Sequence, residues 1–333
     1  MEKKVKELYK LLETCNKVAI ITHFNPDGDA IGSSLALHHY FKKLGLNSSV
    51  VTPNRHPSFL NWIPGINEII IHEESSVKSL KIISESDLVF TMDFNKIERC
   101  GEMSNEIKLK DKIVMIDHHQ LPDDYAITSF SFPEISSTCE IVYMIIEMSN
   151  NLSLINKEIA TCLYLGMMTD TGSFQYNGVN SKTYNIVAIL LQKGVNQSYI
   201  YNKIYNENNI SKLKILGKSL NNLNIIKEND TTYMFLKRSD LIGFNYVKGD
   251  TEGIVNYGLS LKRIEFSAMF IEDLDNKNLI KISFRSKSKF PCNKFAHENF
   301  DGGGHINAAG GRFEGKIEDA ISKFKEKLKE FKS

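Results

Sequence analysis

The sequence predicts an α/β protein: a larger N-terminal domain on a parallel sheet and a smaller mixed α/β C-terminal domain, joined by a helical linker. Three observations predict it. From Val18 to about Leu191 short apolar runs alternate with helical segments, the pattern of strands returning through helices to a parallel sheet. From Tyr199 to Asn224 helical spacing continues with no strand signal, and beyond it strand and helix patterns resume. At 333 residues the chain exceeds the usual size of one core, which favours two domains. Boundaries are expected at residues 1–195, 196–224 and 225–333.

The run Lys17-Val-Ala-Ile-Ile-Thr22 reads as a short buried strand, and Ala30 to Leu44 as a helix burying Ile31, Leu35, Leu37 and Phe41. Further strands are expected at Ser49–Thr52, Glu68–Ile71, Leu88–Met92 and Ile113–Ile116, with helices around Val77, Ser137, Asn156 and Thr183. In the C-terminal part Thr231–Leu236, Glu265–Ile271 and Leu279–Phe284 read as strands, Ile254–Leu261 and Ile317–Phe331 as helices.

Composition limits the functions available. Lys plus Arg total 41 and Asp plus Glu 40, so no global field recruits a polyanion or a membrane, and any phosphate must meet a local patch. The five cysteines are widely spaced with no C-x-x-C pair, which argues against a disulfide framework and a thiolate zinc site. No apolar stretch is long enough for a bilayer, so no membrane partner and a reducing cytoplasm are expected.

Acidic residues and histidines gather where strands end. The stretch Ile21 to Ser34, ITHFNPDGDAIGSS, places His23, Asp27 and Asp29 between the first strand and its helix, where open α/β sheets bind ligands. A plain turn or a helix cap would explain any one of them. Asp93 follows LVFTM, while Asp117, His118 and His119 follow KIVMI, so in a parallel sheet all share one edge; Asp170 ends a helical pattern. Carboxylates this close repel unless cations neutralise them. Aspartate and imidazole without cysteine favour manganese, magnesium or zinc, and a pair of such ions is the usual clamp for phosphoryl displacement. His38 and His39, on the following helix, are assigned to packing or solvent.

The stretches HFNPDGDAIGS, MDFN, IDHH and GMMTDTGSF resemble, in order, the four motifs of the DHH phosphoesterase superfamily. DGGGHINAAGG, Asp301 to Gly311, resembles the signature of its DHH-associated C-terminal domain. The resemblance implies that His23 and Asp27 bind one metal, Asp29, His118 and Asp170 another, and that Asp93 bridges them. The cofactors would be two divalent ions, Mn2+ foremost. Asp117 would orient a histidine, and His119 would face the substrate phosphate as a donor or proton carrier.

The glycines before His305 permit positive φ and close backbone approach to an anion; a tight glycine turn is the alternative. Arg285, Lys287 and Lys289 concentrate positive charge nearby. The resemblance implies that Arg285, Gly303, Gly304 and His305, with Asn307, hold the substrate's nucleotide and phosphate while the first domain cuts. With no extended basic channel, short substrates are expected. Among the branches, the chain is similar to the compact NrnA-type oligoribonucleases, which degrade very short RNA and remove the 3′-phosphate of adenosine 3′,5′-bisphosphate. The alternatives are a cyclic di-AMP or pApA phosphodiesterase and a non-catalytic nucleotide-binding regulator. Partners would be short RNA or small nucleotides, with a homodimer allowed. One position departs from many relatives: Gln175 stands where an arginine is expected after TGSF.

Overall fold

The computed structural model describes residues 1–176, 178–287 and 290–332, in two compact units, Met1–Glu207 and Asn208–Ser333. In the first, six strands, β1 (Lys17–Thr22), β2 (Asn47–Thr52), β3 (Ile70–Ile71), β4 (Leu88–Met92), β5 (Ile113–Asp117) and β6 (Thr128–Ser131), form one sheet in the order β3-β2-β1-β4-β5-β6. Every pairing is parallel. A parallel sheet is covered on both faces, so its strands read as continuous apolar runs rather than alternating ones; β4 and β5 are buried at every position.

Helices α1 (Glu2–Leu12), α2 (Gly28–Lys43), α3 (Ser76–Glu85), α4 (Ser104–Ile107), α5 (Thr138–Met148), α6 (Lys157–Asp170) and α7 (Ser181–Gln192) complete the layers. Val18, Ile20, Phe90 and Ile116 share a core with residues of α2, α5 and α6, and Ala19, Ile21 and Val89 share another with Ile83 and Ile107. Helix α2 differs from its expected one-sided pattern, being buried from Gly28 to Phe41. It packs between sheet and helices, and its small residues permit this: a Cβ on Gly28 would meet the Thr169 side chain at 2.4 Å. His38 and His39 are buried there, His38 bonded to Ser48 and Glu68 and His39 to the Pro64 carbonyl.

The division between the two units falls within the expected linker segment. The helix α8 (Gln197–Tyr201) lies in the first unit, while α9 (Ile210–Asn221) belongs to the second, where Ile215 packs with Met234, Leu241 and Met269. The second unit has strands β7 (Asn224–Ile226), β8 (Thr231–Leu236), β9 (Phe266–Glu272), β10 (Leu279–Ser286), β11 (Gly303–His305) and β12 (Ala308–Glu314), in the order β11-β12-β10-β9-β8-β7. Only β8–β9 is parallel among the described pairs. Helices α10 (Arg238–Gly243) and α11 (Asn256–Leu259) follow β8. Helices α12 (Cys292–Phe300) and α13 (Ile317–Lys332) contribute Phe295, Phe300 and Phe324 to a core with Phe266, Phe270 and Phe284. No helix among the described residues is long and apolar enough to cross a membrane.

Candidate metal centre

Strand order brings the residues at the strand ends together. The chain leaves β1 for β2 and β3, then returns on the other side of β1 for β4 and β5, opening a crevice at the carboxyl ends. Thr22 pairs with Met92, and Met92 with Ile116, so His23, Asp93 and Asp117 leave the sheet side by side. Asp93 turns at a φ of 65°, left-handed backbone that is costly for most side chains and tolerated best by Asn and Asp.

Ligand-type atoms of His23, Asp27 and Asp93 lie within 4.8 Å of one another, and so do those of Asp29, Asp93 and His118. Asp93 belongs to both groups, and to a third with Asp117 and His119. Its Oδ2 is 3.5 Å from His23 Nε2 and its Oδ1 3.5 Å from His118 Nε2; the latter nitrogen is 3.8 Å from Asp29 and 3.2 Å from Asp170. Both histidines are aimed by backbone. His23 Nδ1 donates to the Phe24 carbonyl at 3.0 Å and His118 Nδ1 to the Ile135 carbonyl at 3.2 Å, so Nε2 is the nitrogen that each ring turns toward the carboxylates.

Asp27 is both a cap and a cluster member: Oδ1 accepts from the Asp29 and Ala30 amides at 3.0 Å, starting α2. It is also the exposed member of its group, opening the site to solvent. Asp29 is fully buried at the N-terminus of α5 and accepts from the Thr138 and Cys139 amides at 2.6 and 2.9 Å. The hydroxyl of Thr138 donates to Asp93 Oδ1 at 2.8 Å. Gly166 makes this approach feasible, since a Cβ there would meet Asp29 Oδ1 at 2.6 Å.

The buried charges of the cluster act strongly on one another. Burial and the negative charges of Asp93 and Asp170 hold the Asp29 carboxyl well above the usual carboxylate range. Burial would raise Asp93 too, but the hydrogen bond from His23 and the charges of His119 and His118 outweigh it and hold the carboxyl low. Burial opposes protons on His23 and His118, yet the surrounding aspartates raise both. Among the described residues every ion pair of Asp29 and Asp93 is to a histidine. This oxygen and imidazole set could hold hard or borderline cations.

Asp117 serves His119. Its Oδ1 accepts from His119 Nδ1 at 2.7 Å and its Oδ2 from the His119 amide at 3.1 Å, fixing that ring 3.7 Å from Asp93.

The glycine-rich stretch of the second unit is a hairpin rather than a loop. Gly303, Gly304 and His305 pair with Gly310, Ala309 and Ala308 across the turn Ile306–Asn307. Of the stretch's first three glycines only Gly304 has a left-handed φ, 141°, and a Cβ there would meet the Ala308 carbonyl at 2.4 Å; one on Gly302 would meet the Gly310 carbonyl at 2.0 Å. Close strand packing demands these two, and Gly303 faces open space. Ala308 also pairs with Arg285, so His305 and Arg285 occupy one cross-strand row with only a methyl between them. Asn307 closes the hairpin, donating from Nδ2 to the Ser286 hydroxyl at 2.9 Å. Lys289 lies outside the described residues.

Sequence reasoning missed Thr138 and the α5 amides, although Ser137 to Glu140 carries a helix-start pattern. It also missed Arg99, whose charge opposes protonation of His23 and whose carbonyl accepts from the Phe24 amide at 2.6 Å.

Comparison with known proteins identifies the family and the fold. Residues 17–167 match the DHH family, N-terminal domain, and residues 229–331 the DHHA1 domain. The crystal structure of an exopolyphosphatase-related protein from Bacteroides fragilis is 41% identical, with a TM-score of 0.95 over 100% of this chain and 97% of that one. The bifunctional oligoribonuclease and PAP phosphatase NrnA of Bacillus subtilis (strain 168) is 24% identical over 305 residues, 91% of each chain. RecJ in complex with Mn2+ from Thermus thermophilus, 12% identical with a TM-score of 0.51 over 99% of this chain and 54% of that one, shares the fold.

Proposed function

The chain belongs to the DHH family and carries a DHHA1 domain, and on that premise we propose that it is a two-metal phosphoesterase acting on short RNA. It would hydrolyse oligoribonucleotides to mononucleotides and remove the 3′-phosphate of adenosine 3′,5′-bisphosphate. The hydrolase class follows from the family, and the name of the Bacillus relative supports the choice of substrates. The observation that carries the two-site reading is Asp93, shared by the group of His23 and Asp27 and the group of Asp29 and His118; a third group joins it to Asp117 and His119, which bond each other.

In this reading His23, Asp27 and Asp93 hold one ion, and Asp29, Asp93, His118 and Asp170 the other. Two such cations supply Lewis acidity to the phosphate and lower the pKa of water to make a nucleophile near neutral pH. RecJ, whose structure holds Mn2+, supports manganese as the first choice. With Nδ1 committed to a backbone carbonyl, His23 and His118 each turn Nε2 to the centre, where a bound cation would take the place of its proton. The α5 amides and Thr138 hold Asp29 and Asp93 in place. His119, its Nδ1 proton directed to Asp117, offers Nε2 to a substrate phosphate oxygen or the leaving group. Arg285 and His305 supply the cationic and imidazole donors of the second unit toward a phosphate.

The test is hydrolysis by the full chain, with manganese and with excess chelator, of adenosine 3′,5′-bisphosphate, pApA, cyclic di-AMP, inorganic polyphosphate and RNA of two, three, five, twelve and twenty-four nucleotides at fixed salt. Efficiency highest on RNA of two to five nucleotides, with loss in chelator, is expected. Equal efficiency on the twenty-four-mer, or undiminished activity in chelator, sinks the reading.

A further inference from the structure

Immediately after Asp170 the backbone does something expensive. Gly172, Ser173 and Phe174 are left-handed in succession, at φ 56°, 60° and 64°, a conformation that only glycine enters freely. Hydrogen bonds over-determine the turn: the Ser173 amide donates to Met168, those of Gln175 and Tyr176 to Thr171, and that of Phe174 to the Thr171 hydroxyl. Phe174 is wedged between Tyr164 and Tyr184, with ring centroids at 5.7 and 6.1 Å, and the Tyr184 hydroxyl donates to the Phe174 carbonyl at 3.3 Å. Strain held this firmly beside a candidate ligand points to a positioned side chain.

The side chain delivered is Tyr176. Its ring lies against Gly172, two residues from Asp170, so closely that a Cβ on Gly172 would fall 2.5 Å from it, and the residue remains 50% exposed. Burying the ring would have been the ordinary way to use it. Seated against the Gly172 backbone and half exposed, it offers an aromatic surface whose position the strained turn sets before any ligand arrives.

We propose that the exposed ring of Tyr176 is a stacking site for a nucleobase of the substrate, the base attached to the sugar whose phosphate occupies the candidate metal centre. The proposal rests on the reading of that centre as a nucleotide phosphoesterase. Stacking accepts any base, because every base has a π-face, and it asks for no hydrogen-bond code. Tyr176 is therefore a binding residue that favours nucleotides over phosphoesters without a base.

The experiment compares two ligands that differ only in the base. Adenosine 5′-monophosphate and ribose 5-phosphate are titrated calorimetrically into the manganese-loaded full chain, its Tyr176→Ala and its Tyr176→Phe variants. The wild type should bind the nucleotide more tightly, by the roughly 5- to 150-fold that one base–aromatic stack provides. Tyr176→Ala should bring the two affinities together, while Tyr176→Phe, which keeps the ring, should retain the difference. A wild type that binds both ligands alike, a Tyr176→Ala variant that keeps the difference, or a Tyr176→Phe variant that loses it overturns the proposal. Absence of phosphoester hydrolysis with base discrimination intact would instead overturn the enzymatic reading and leave the stacking site standing.

Discussion

In the first unit the candidate ligands His23, Asp27 and Asp93 stand just beyond the carboxyl ends of parallel strands, whereas Arg285, Gly304 and His305 of the second stand inside antiparallel strands. A residue past a strand end has little part in the ladder, so its side chain is available for chemistry. A residue within the ladder serves fold and site at once. Substitutions in the first unit should therefore separate activity from stability cleanly, and those in the hairpin should separate them only at chosen positions.

The sharpest separation is expected at Asp93. Asp93→Asn keeps the shape and the tolerance of left-handed backbone while removing the shared charge. Hydrolysis should fall by more than about 10³-fold, beyond the 10²–10³ typical of losing one electrostatic contact in a transition state. Elemental analysis should show fewer ions per chain than in the wild type, while the melting temperature in chelator falls only slightly, the lost pairing with His23, His119 and His118 being partly offset by relief of like-charge repulsion with Asp29. An active Asp93→Asn enzyme would end the view of this carboxylate as the shared ligand.

Asp117, the last residue of β5, is intermediate between the two regions. Asp117→Asn should leave the metal content unchanged and lower kcat by about 10–100-fold, the scale on which lost orienting partners act, because His119 loses its fixed tautomer. If the ions leave with this substitution, Asp117 contributes to holding them and its role as partner of His119 is secondary.

The same contrast governs how much was legible beforehand. An apolar run followed at once by Asp or His marks a strand end, and parallel topology then brings distant ends to one edge, so His23, Asp93 and His118 could be grouped from spacing alone. Asp170 needed its place at the end of α6, which the apolar pattern supplied. The hairpin hid itself, because Gly303–His305 and Ala308–Glu314 are strands rich in residues of low β-propensity, and their glycines are explained by neighbouring carbonyls and rings that no local pattern reveals. Thr138 and Arg99 were hidden for a related reason: each acts on the site through a tertiary approach between segments far apart in sequence.

Arg285→Ala and His305→Ala should fold, keep the ions and raise KM with kcat little changed. A hydrogen bond to a charged group contributes about 1.5–3 kcal/mol, or roughly 10- to 150-fold in affinity. Steady-state kinetics with metal analysis checks this. Loss of metal from the His305 variant with substrate affinity intact would reverse the division of labour between the units.

The smallest effect discriminates best, because neighbouring glycines give the hairpin an internal control. Gly304→Ala forces a side chain onto a φ of 141° and against the Ala308 carbonyl, so it should destabilise the protein by about 1–3 kcal/mol, seen as a lower melting temperature. Gly303→Ala meets nothing within 4 Å and has an ordinary φ, so stability should stay within about 0.5 kcal/mol of wild type. If the backbone at Gly303 approaches an anion, the added methyl should still raise KM for adenosine 3′,5′-bisphosphate severalfold, separating binding from folding inside one strand. If KM is unchanged in Gly303→Ala while Gly304→Ala loses stability as expected, these glycines serve strand packing alone, and phosphate recognition in the second unit rests on Arg285 and His305.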